Sequence, residues 1–294
     1  MKPASFEYHA PKTLDEALRQ LGSLDNAKIL AGGQSLVAMM NFRVVTPDHL
    51  IDVNHVEGLS GITIKGKHLR IGATTRQRDL EFSAEIAQHC PLMREAILLV
   101  GHRQTRNRGT IGGSLAHADP SAELPNVCSA HDAKIEIHGP NARRLVPIAE
   151  FGQTFMTTAV EANEILTAVE IELWPAGHGY SFLEYARRHG DFAIVGVAAL
   201  LDLDNNDRVT RAALSLCGVD AMPRRMPKIE SAITGQVLNE EIIADVADMA
   251  GDIDALEDHH ASKVYRQHLA RVLSARGLRE ANERARREKI RAAS

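Results

Sequence analysis

Ala31-Gly32-Gly33-Gln34-Ser35-Leu36 and Gly109-Thr110-Ile111-Gly112-Gly113-Ser114 decide how this chain is read, the second running on into Leu115-Ala116-His117-Ala118-Asp119-Pro120. Each stretch sets two adjacent glycines beside a small hydroxyl residue. Paired glycines let a backbone bend through positive φ and present N–H groups with no side chain in the way. Such a surface suits phosphate oxygens. Two of them can grip both ends of a diphosphate. The first loop follows the strand-like run Ala27-Lys28-Ile29-Leu30-Ala31 and precedes the Met-rich stretch Leu36–Arg43, which reads as a helix. That placement brings loop amides and a helix N-terminus to one spot, where dipole and hydrogen bonds together favour an anion. A tight turn without a ligand is the alternative there. From Gly109 to Ala122 only Ile111, Leu115 and His117 are bulky. This reads either as a loop that lets a ligand approach the backbone or as a long surface loop.

Working outward, residues 13–22 read as a helix. Thr13 is its N-cap, Glu16 completes a capping box and Gly22 is the stop, with an apolar stripe of Leu14, Ala17, Leu18 and Leu21. Leu50-Ile51-Asp52-Val53 reads as a strand, so the order predicts a small α/β unit with parallel pairing. Gly61–Ala73 alternates around Lys65-Gly66-Lys67, which is a hairpin pattern. Helices follow through the eighties, over Pro91–Val100 and near Leu124–His131. Lys134–His138 and Ile165–Leu173 alternate as strands, giving a mostly antiparallel α+β section. Pro175-Ala176-Gly177-His178-Gly179 is a linker signal. Beyond it, Ala193–Leu203 and Val209–Leu216 read as strands joined by Asp204-Asn205-Asn206-Asp207. Glu240–Ala250 and Tyr265–Ala275 read as helices. The Arg- and Glu-rich C-terminus reads as a solvated helix or a frayed tail.

Two or three domains fit in 294 residues. Apolar residues make up 44% and aromatics 4%, so aliphatic side chains must fill the cores. A net charge of −4 argues against a nucleic-acid binder. No apolar run is long enough to span a membrane, and the start lacks an apolar signal core, so a cytoplasmic protein is expected. Three scattered cysteines, Cys90, Cys128 and Cys217, exclude a disulfide scaffold and an iron–sulfur cluster held by this chain alone; they read as buried thiols.

Other motifs fall short. Gly61 to Lys67 spells the start of a P-loop, but His68 replaces the required Ser/Thr and the stretch alternates as a hairpin. Gly33-Gln34-Ser35-Leu36-Val37 lacks the second glycine of a nucleophile elbow. No G-x-G-x-x-G occurs, so a Rossmann fold has no fingerprint. His259-His260 and His117-x-Asp119 do not give three metal ligands at a usual spacing, and no metal is expected. His117 and Asp119 are a possible pair without a third partner, better suited to hydrogen bonding. Arg103, Arg106 and Arg108 form a basic group before the second glycine stretch, for cofactor, partner or solvent.

Three motifs in order carry a resemblance: AGGQSL near position 30, TRNRGTIGGSLAHADPSAELP over 105–125 and YARRHGDFAIVG from 185. Together with the opening Phe6-x-Tyr8, they resemble the FAD-binding medium subunits of molybdenum hydroxylases, as in aerobic carbon monoxide dehydrogenase, quinoline oxidoreductase and xanthine dehydrogenase. The resemblance spans nearly the whole chain. It implies an α+β fold of the vanillyl-alcohol-oxidase type in two FAD-binding subdomains, 1–57 and 58–176. A C-terminal domain over 177–288 would follow, with a small antiparallel sheet and helices.

The resemblance also implies site residues. Lys28, Ile29, Leu30, Ala31, Gly32, Gly33, Gln34, Ser35 and Leu36 would cover one side of FAD. Gly101, Thr110, Ile111, Gly112, Gly113, Ser114, His117, Asp119 and Glu123 would line the other, with Glu123 accepting from ribityl hydroxyls. Leu166 would touch the flavin edge. Arg187, Asp191 and Phe192 would lie over the ring, Phe192 shielding one face. Gln34 stands where carbon monoxide dehydrogenase subunits often have His, Ser114 replaces a frequent Asn, and Phe192 a Tyr or aliphatic residue; these lean toward hydroxylases of aromatic N-heterocycles. No catalytic acid or base is implied in this chain. The implied partners are a large molybdopterin subunit and a small [2Fe–2S] subunit, in a dimer of heterotrimers. A self-contained flavin oxidase of the same fold and a cofactor-free scaffold subunit are the alternatives.

Overall fold

Thr13 caps the first helix, α1 (Leu14–Ser23), by accepting a hydrogen bond from the Glu16 amide at 3.2 Å. The computed structural model describes residues 1–293. The Glu16 carboxylate, expected to close a box on Thr13, instead accepts from the Lys12 amide at 2.9 Å. The helix also runs through Gly22, its expected stop, to Ser23. Its face of Ala17, Leu18 and Leu21 packs with Ile51 and Val53. This core covers three parallel strands, β1 (Glu7–His9), β2 (Ala27–Leu30) and β3 (His49–Asp52), in the order β1-β3-β2. The parallel α/β unit is the one the sequence predicts. β1 is not foreshadowed, because Glu7-Tyr8-His9 has no apolar alternation. The first glycine stretch joins β2 to α2 (Leu36–Asn41).

The near-P-loop segment is a hairpin, β4 (Ile62–Lys65) and β5 (His68–Gly72), as its alternation predicts. Short helices follow: α3 (Gln77–Phe82), α4 (Ala84–His89), α5 (Pro91–Ile97), α6 (Arg103–Arg108), α7 (Ile111–His117) and α8 (Glu123–Ala130). Then come β6 (Lys134–His138), β7 (Arg143–Pro147), α9 (Ile148–Phe151), the small pair β8 (Gly152–Thr154) and β9 (Thr157–Thr158), and β10 (Ile165–Glu172). The main sheet runs β4-β5-β10-β6-β7, antiparallel throughout.

One expectation is corrected here: the second glycine stretch is not a loop but helix α7. Thr110 caps it, its hydroxyl accepting from the Gly113 amide at 3.0 Å. Glycine in a helix costs roughly 1 kcal/mol relative to alanine. Close packing offsets that cost at Gly112, where a Cβ would lie 2.6 Å from the Ala73 Cβ. The following helix, α8, is buried along its whole length.

The third sheet is β11 (Gly179–Tyr185), β12 (Val195–Leu203), β13 (Val209–Cys217) and β14 (Arg224–Arg225), all antiparallel. Helices α10 (Pro227–Ile233), α11 (Glu240–Gly251) and α12 (Lys263–Ala293) complete it. Gly179, expected as linker slack, instead opens β11 where a Cβ would collide with the Ala281 carbonyl of α12. The C-terminus is likewise corrected. It is one continuous helix with Ala281 and Ala285 buried. Arg284 clamps Glu95 of α5 with two hydrogen bonds at 2.8 and 2.9 Å. Phe182, Ala198, Leu200 and Ala213 of this sheet belong to the same buried cluster as the second sheet and α8. All three cysteines are free and buried.

Candidate cofactor site

The two glycine segments meet. Gly32 lies so close to the Arg108–Gly109 backbone that a Cβ would collide with the Arg108 carbonyl. Gly33, at φ +73°, turns the chain from β2 toward α2 in a conformation that favours glycine. A cavity of about 470 Å³ opens beside this contact, within the roughly 300–1,000 Å³ of small-molecule sites. Lys28, Ile29, Ala31, Gly32, Gly33, Gln34, Ser35 and Leu36 line one wall. Thr110, Gly112, Gly113, Ser114, His117, Asp119 and Glu123 line another, and Leu166 and Phe192 also reach it. Near Gly113 a Cβ would meet only the Thr110 hydroxyl, at 2.8 Å, and the Ala31 Cβ, at 3.9 Å, so its remaining side is open.

Five residues expected beside these lie outside the lining. Leu30 packs behind Gly33. Gly101, at φ +45°, rests on Thr105, while Val100 and Thr105 reach the cavity in its place. Ile111 is fully buried in the main core. The Arg187 guanidinium lies 3.1 Å from His260 Nδ1 on the surface. Asp191 is exposed, so only Phe192, itself 60% exposed, brings that segment to the cavity mouth. The basic group also separates. Arg106 is buried and donates from Nε to Glu81 Oε2 at 3.0 Å and from Nη1 to the Val100 carbonyl at 3.0 Å. It therefore serves the core, while Arg103 and Arg108 stay exposed.

Three features escape the sequence reading. Gln77 lines the cavity with Oε1 buried and without a partner among the described residues, an acceptor left for a ligand. Thr74 lines it too. The small, hydroxyl-rich Ala73-Thr74-Thr75 after the hairpin carries the same signature as the glycine stretches. Residues 158, 160–162, 164 and 165 contribute a further wall, with no local signal to betray it.

Glu123 stands in the first turn of α8, 5% exposed. Burial pushes its carboxyl up to about 7, and the charge of Asp119 adds to the shift. Burial, then Glu123, pushes Glu184 up to about 8, and its Oε2 has no hydrogen-bond partner among the described residues. A carboxyl protonated near neutrality both donates to and accepts from a hydroxyl-bearing ligand. Asp119 Oδ1 accepts from the Ser121 amide at 2.9 Å, closing a turn. His117 and Asp119 both line the cavity. Among the described residues, the histidine clusters read from sequence gather no third metal ligand. Glu7, His9 and His49, which the sequence reading did not group, do come together with their ligand atoms within 4.8 Å of one another, a set that could hold a metal ion; the imidazoles of His9 and His49 are 3.1 Å apart and Glu7 lies 3.6 Å from His49.

Residues 4–174 match the family described as the FAD binding domain in molybdopterin dehydrogenase, and residues 180–281 match the CO dehydrogenase flavoprotein C-terminal domain. The 6-hydroxypseudooxynicotine dehydrogenase complex subunit alpha of Paenarthrobacter nicotinovorans is 38% identical, covering 97% of both chains. A chain of the solved carbon monoxide dehydrogenase of Hydrogenophaga pseudoflava, 36% identical, superposes with a TM-score of 0.93 over 97% of this chain and 99% of that one. A chain of quinoline 2-oxidoreductase from Pseudomonas putida 86 is 34% identical, with a TM-score of 0.93 and the same coverage. The chain belongs to the FAD-binding medium subunits of molybdenum hydroxylases, the carbon monoxide dehydrogenase family. The cavity suits FAD on its own terms. A side chain on Gly113 would fill the space beside the glycine contact, and the orphaned Gln77 oxygen and the Glu123 carboxyl offer polar partners along it.

Proposed function

We propose that this chain is the FAD-carrying electron-transfer subunit of a three-subunit molybdenum hydroxylase. The observation that carries the reading is the meeting of two glycine segments on one cavity with a buried acid in its wall. When bound, FAD supplies reversible redox chemistry that accepts and releases electrons. This chain's residues bind and orient it. Gly33 turns the first segment through positive φ, Gly113 leaves room for the diphosphate, Glu123 meets ribityl hydroxyls, Leu166 touches the flavin edge and Phe192 covers the ring at the mouth. Substrate is hydroxylated in the large molybdopterin subunit. The small [2Fe–2S] subunit then delivers electrons to this chain, which passes them to an external acceptor.

The assembly proposed is a dimer of heterotrimers in the cytoplasm; among the described residues, no helix is long and apolar enough to cross a membrane. The proposed division is 1–57 and 58–176 for the two FAD-binding parts and 177–288 for the C-terminal domain. Drawing each of the three larger sheets from a separate stretch of chain supports it. An aromatic N-heterocycle is the substrate class proposed for the complex, supported by the likeness to quinoline 2-oxidoreductase.

Purified chain is expected to show an oxidised-flavin spectrum with one FAD per chain, and Gly113→Val is expected to lose it while keeping its fold. A colourless protein that cannot take up FAD overturns the function. Stoichiometric flavin in Gly113→Val overturns the placement. Flavin bleached by a substrate without partner subunits would instead identify a self-contained oxidase.

A further inference from the structure

Asn54 and Arg76 do not line the cavity, yet they tie its two glycine segments together. Asn54 follows β3, and its Nδ2 donates to the Ala31 carbonyl of the first segment at 2.8 Å and to Asp52 Oδ1 at 2.5 Å. Its Oδ1 accepts from Arg76 Nη2 at 2.7 Å. Arg76 Nη1 in turn donates to the Arg108 carbonyl, which precedes the second segment. That same carbonyl is the one against which Gly32 packs. Both ends of the bridge are anchored. Asp52 holds the Asn54 amide at 2.9 Å and accepts from the Tyr8 hydroxyl at 2.6 Å. On the other side, Gln77 N donates to the Gly109 carbonyl at 2.9 Å and Ile111 N to the Thr75 carbonyl at 3.2 Å, so the chain around Arg76 is stitched to the chain around Thr110.

We propose that Asn54 and Arg76 are positioning residues that set the spacing of the two glycine segments, and through it the affinity for the diphosphate of the cofactor. The chemistry demands these two types. Asparagine donates to one carbonyl while accepting from a cation, and arginine spreads two donors across two acceptors in a fixed plane. Lysine, a point donor, cannot span both. With the bridge cut, the segments keep their own hydrogen bonds but lose the side-chain tie that fixes their separation. A ligand gripped from both sides loses affinity when its two contacts are misplaced.

The inference rests on the reading of this cavity as the FAD site, and the test separates the two. FAD and ADP dissociation constants are measured on the full-length flavin-free chain for wild type, Asn54→Leu, Arg76→Met, Arg76→Lys and the double variant Asn54→Leu/Arg76→Met, alongside thermal melts without ligand. Each single change is expected to weaken FAD and ADP alike by about ten- to a hundredfold. The double variant should be no weaker than the worse single, since both cut one bridge. If Arg76→Met unfolds, Arg76→Lys retains the charge and carries the test. FAD and ADP constants within twofold of wild type in folded variants overturn the proposal. So do effects that simply add, or an affinity loss for FAD with ADP unchanged. Normal FAD binding by Gly113→Val would instead overturn the site itself, whatever the bridge variants do.

Discussion

Gly113 serves two purposes at once: its amide donates to the Thr110 hydroxyl that caps α7, and its missing side chain leaves the cavity open. Thr110→Val removes the cap and is expected to cost about 1 kcal/mol, read as a lowered melting temperature. Arg106 presents the opposite case, a buried charge shared between Glu81 and the Val100 carbonyl. Arg106→Ala leaves Glu81 with Arg78 as its remaining cation and the Val100 carbonyl without this donor, and is expected to cost about 1–3 kcal/mol in chemical denaturation; an unchanged stability would show that Arg78 alone satisfies the carboxylate. At Glu123 the consequence depends on pH. An unfolded glutamate releases its proton near 4.5, whereas folded Glu123 holds it to about 7. Between those values the folded chain binds more protons, so its stability falls as pH rises through that window, by ~3 kcal/mol if the whole shift is expressed. Glu123→Gln in flavin-free protein should therefore melt higher than wild type at pH 8 and no higher at pH 4. An equal offset at both would mean that Glu123 titrates ordinarily. Local chemistry made the glycines legible. The inward turn of Arg106 and the orphaned Gln77 oxygen were not, because each depends on partners elsewhere in the chain.

At the scale of elements, periodicity served where one face is dry and the other wet. α1 and the β4–β5 hairpin follow their patterns for that reason, whereas β12 and β13 are buried on both faces and were legible from their apolar runs. α7 defeated it, since a run of small residues has no apolar stripe and its helix is held by a cap and by close approach to Ala73. α12 defeated it differently. Its arginines and glutamates look solvated in sequence, but Arg284 reaches back to Glu95 and the alanines between the charges supply the contact with β11. Gly179→Val is expected to force α12 off that sheet and lower the melting temperature by several degrees, since its Cβ has no space beside Ala281. An unchanged melting temperature would show that the helix end is loose.

At the scale of the molecule, the cavity is assembled from residues as distant as Leu21 and Phe192, which no local pattern could reveal; the family resemblance supplied that pairing. A ligand that bridges distant parts stabilises the whole. At a hundred times its dissociation constant, FAD should add about 2.7 kcal/mol to unfolding, seen as a concentration-dependent rise in melting temperature. No rise would mean that flavin binds the unfolded chain equally or not at all. The burial of α8 bears on the order of events during synthesis. This helix carries Glu123 to the cavity, yet it rests on β12 and β13, and α12 covers that sheet in turn. A ribosome that has delivered both glycine segments has therefore not yet delivered the support for the wall between them. Stable flavin loading is thus expected late in synthesis, and a chain cut short before β12 is expected to hold both glycine segments while lacking the sheet that supports Glu123.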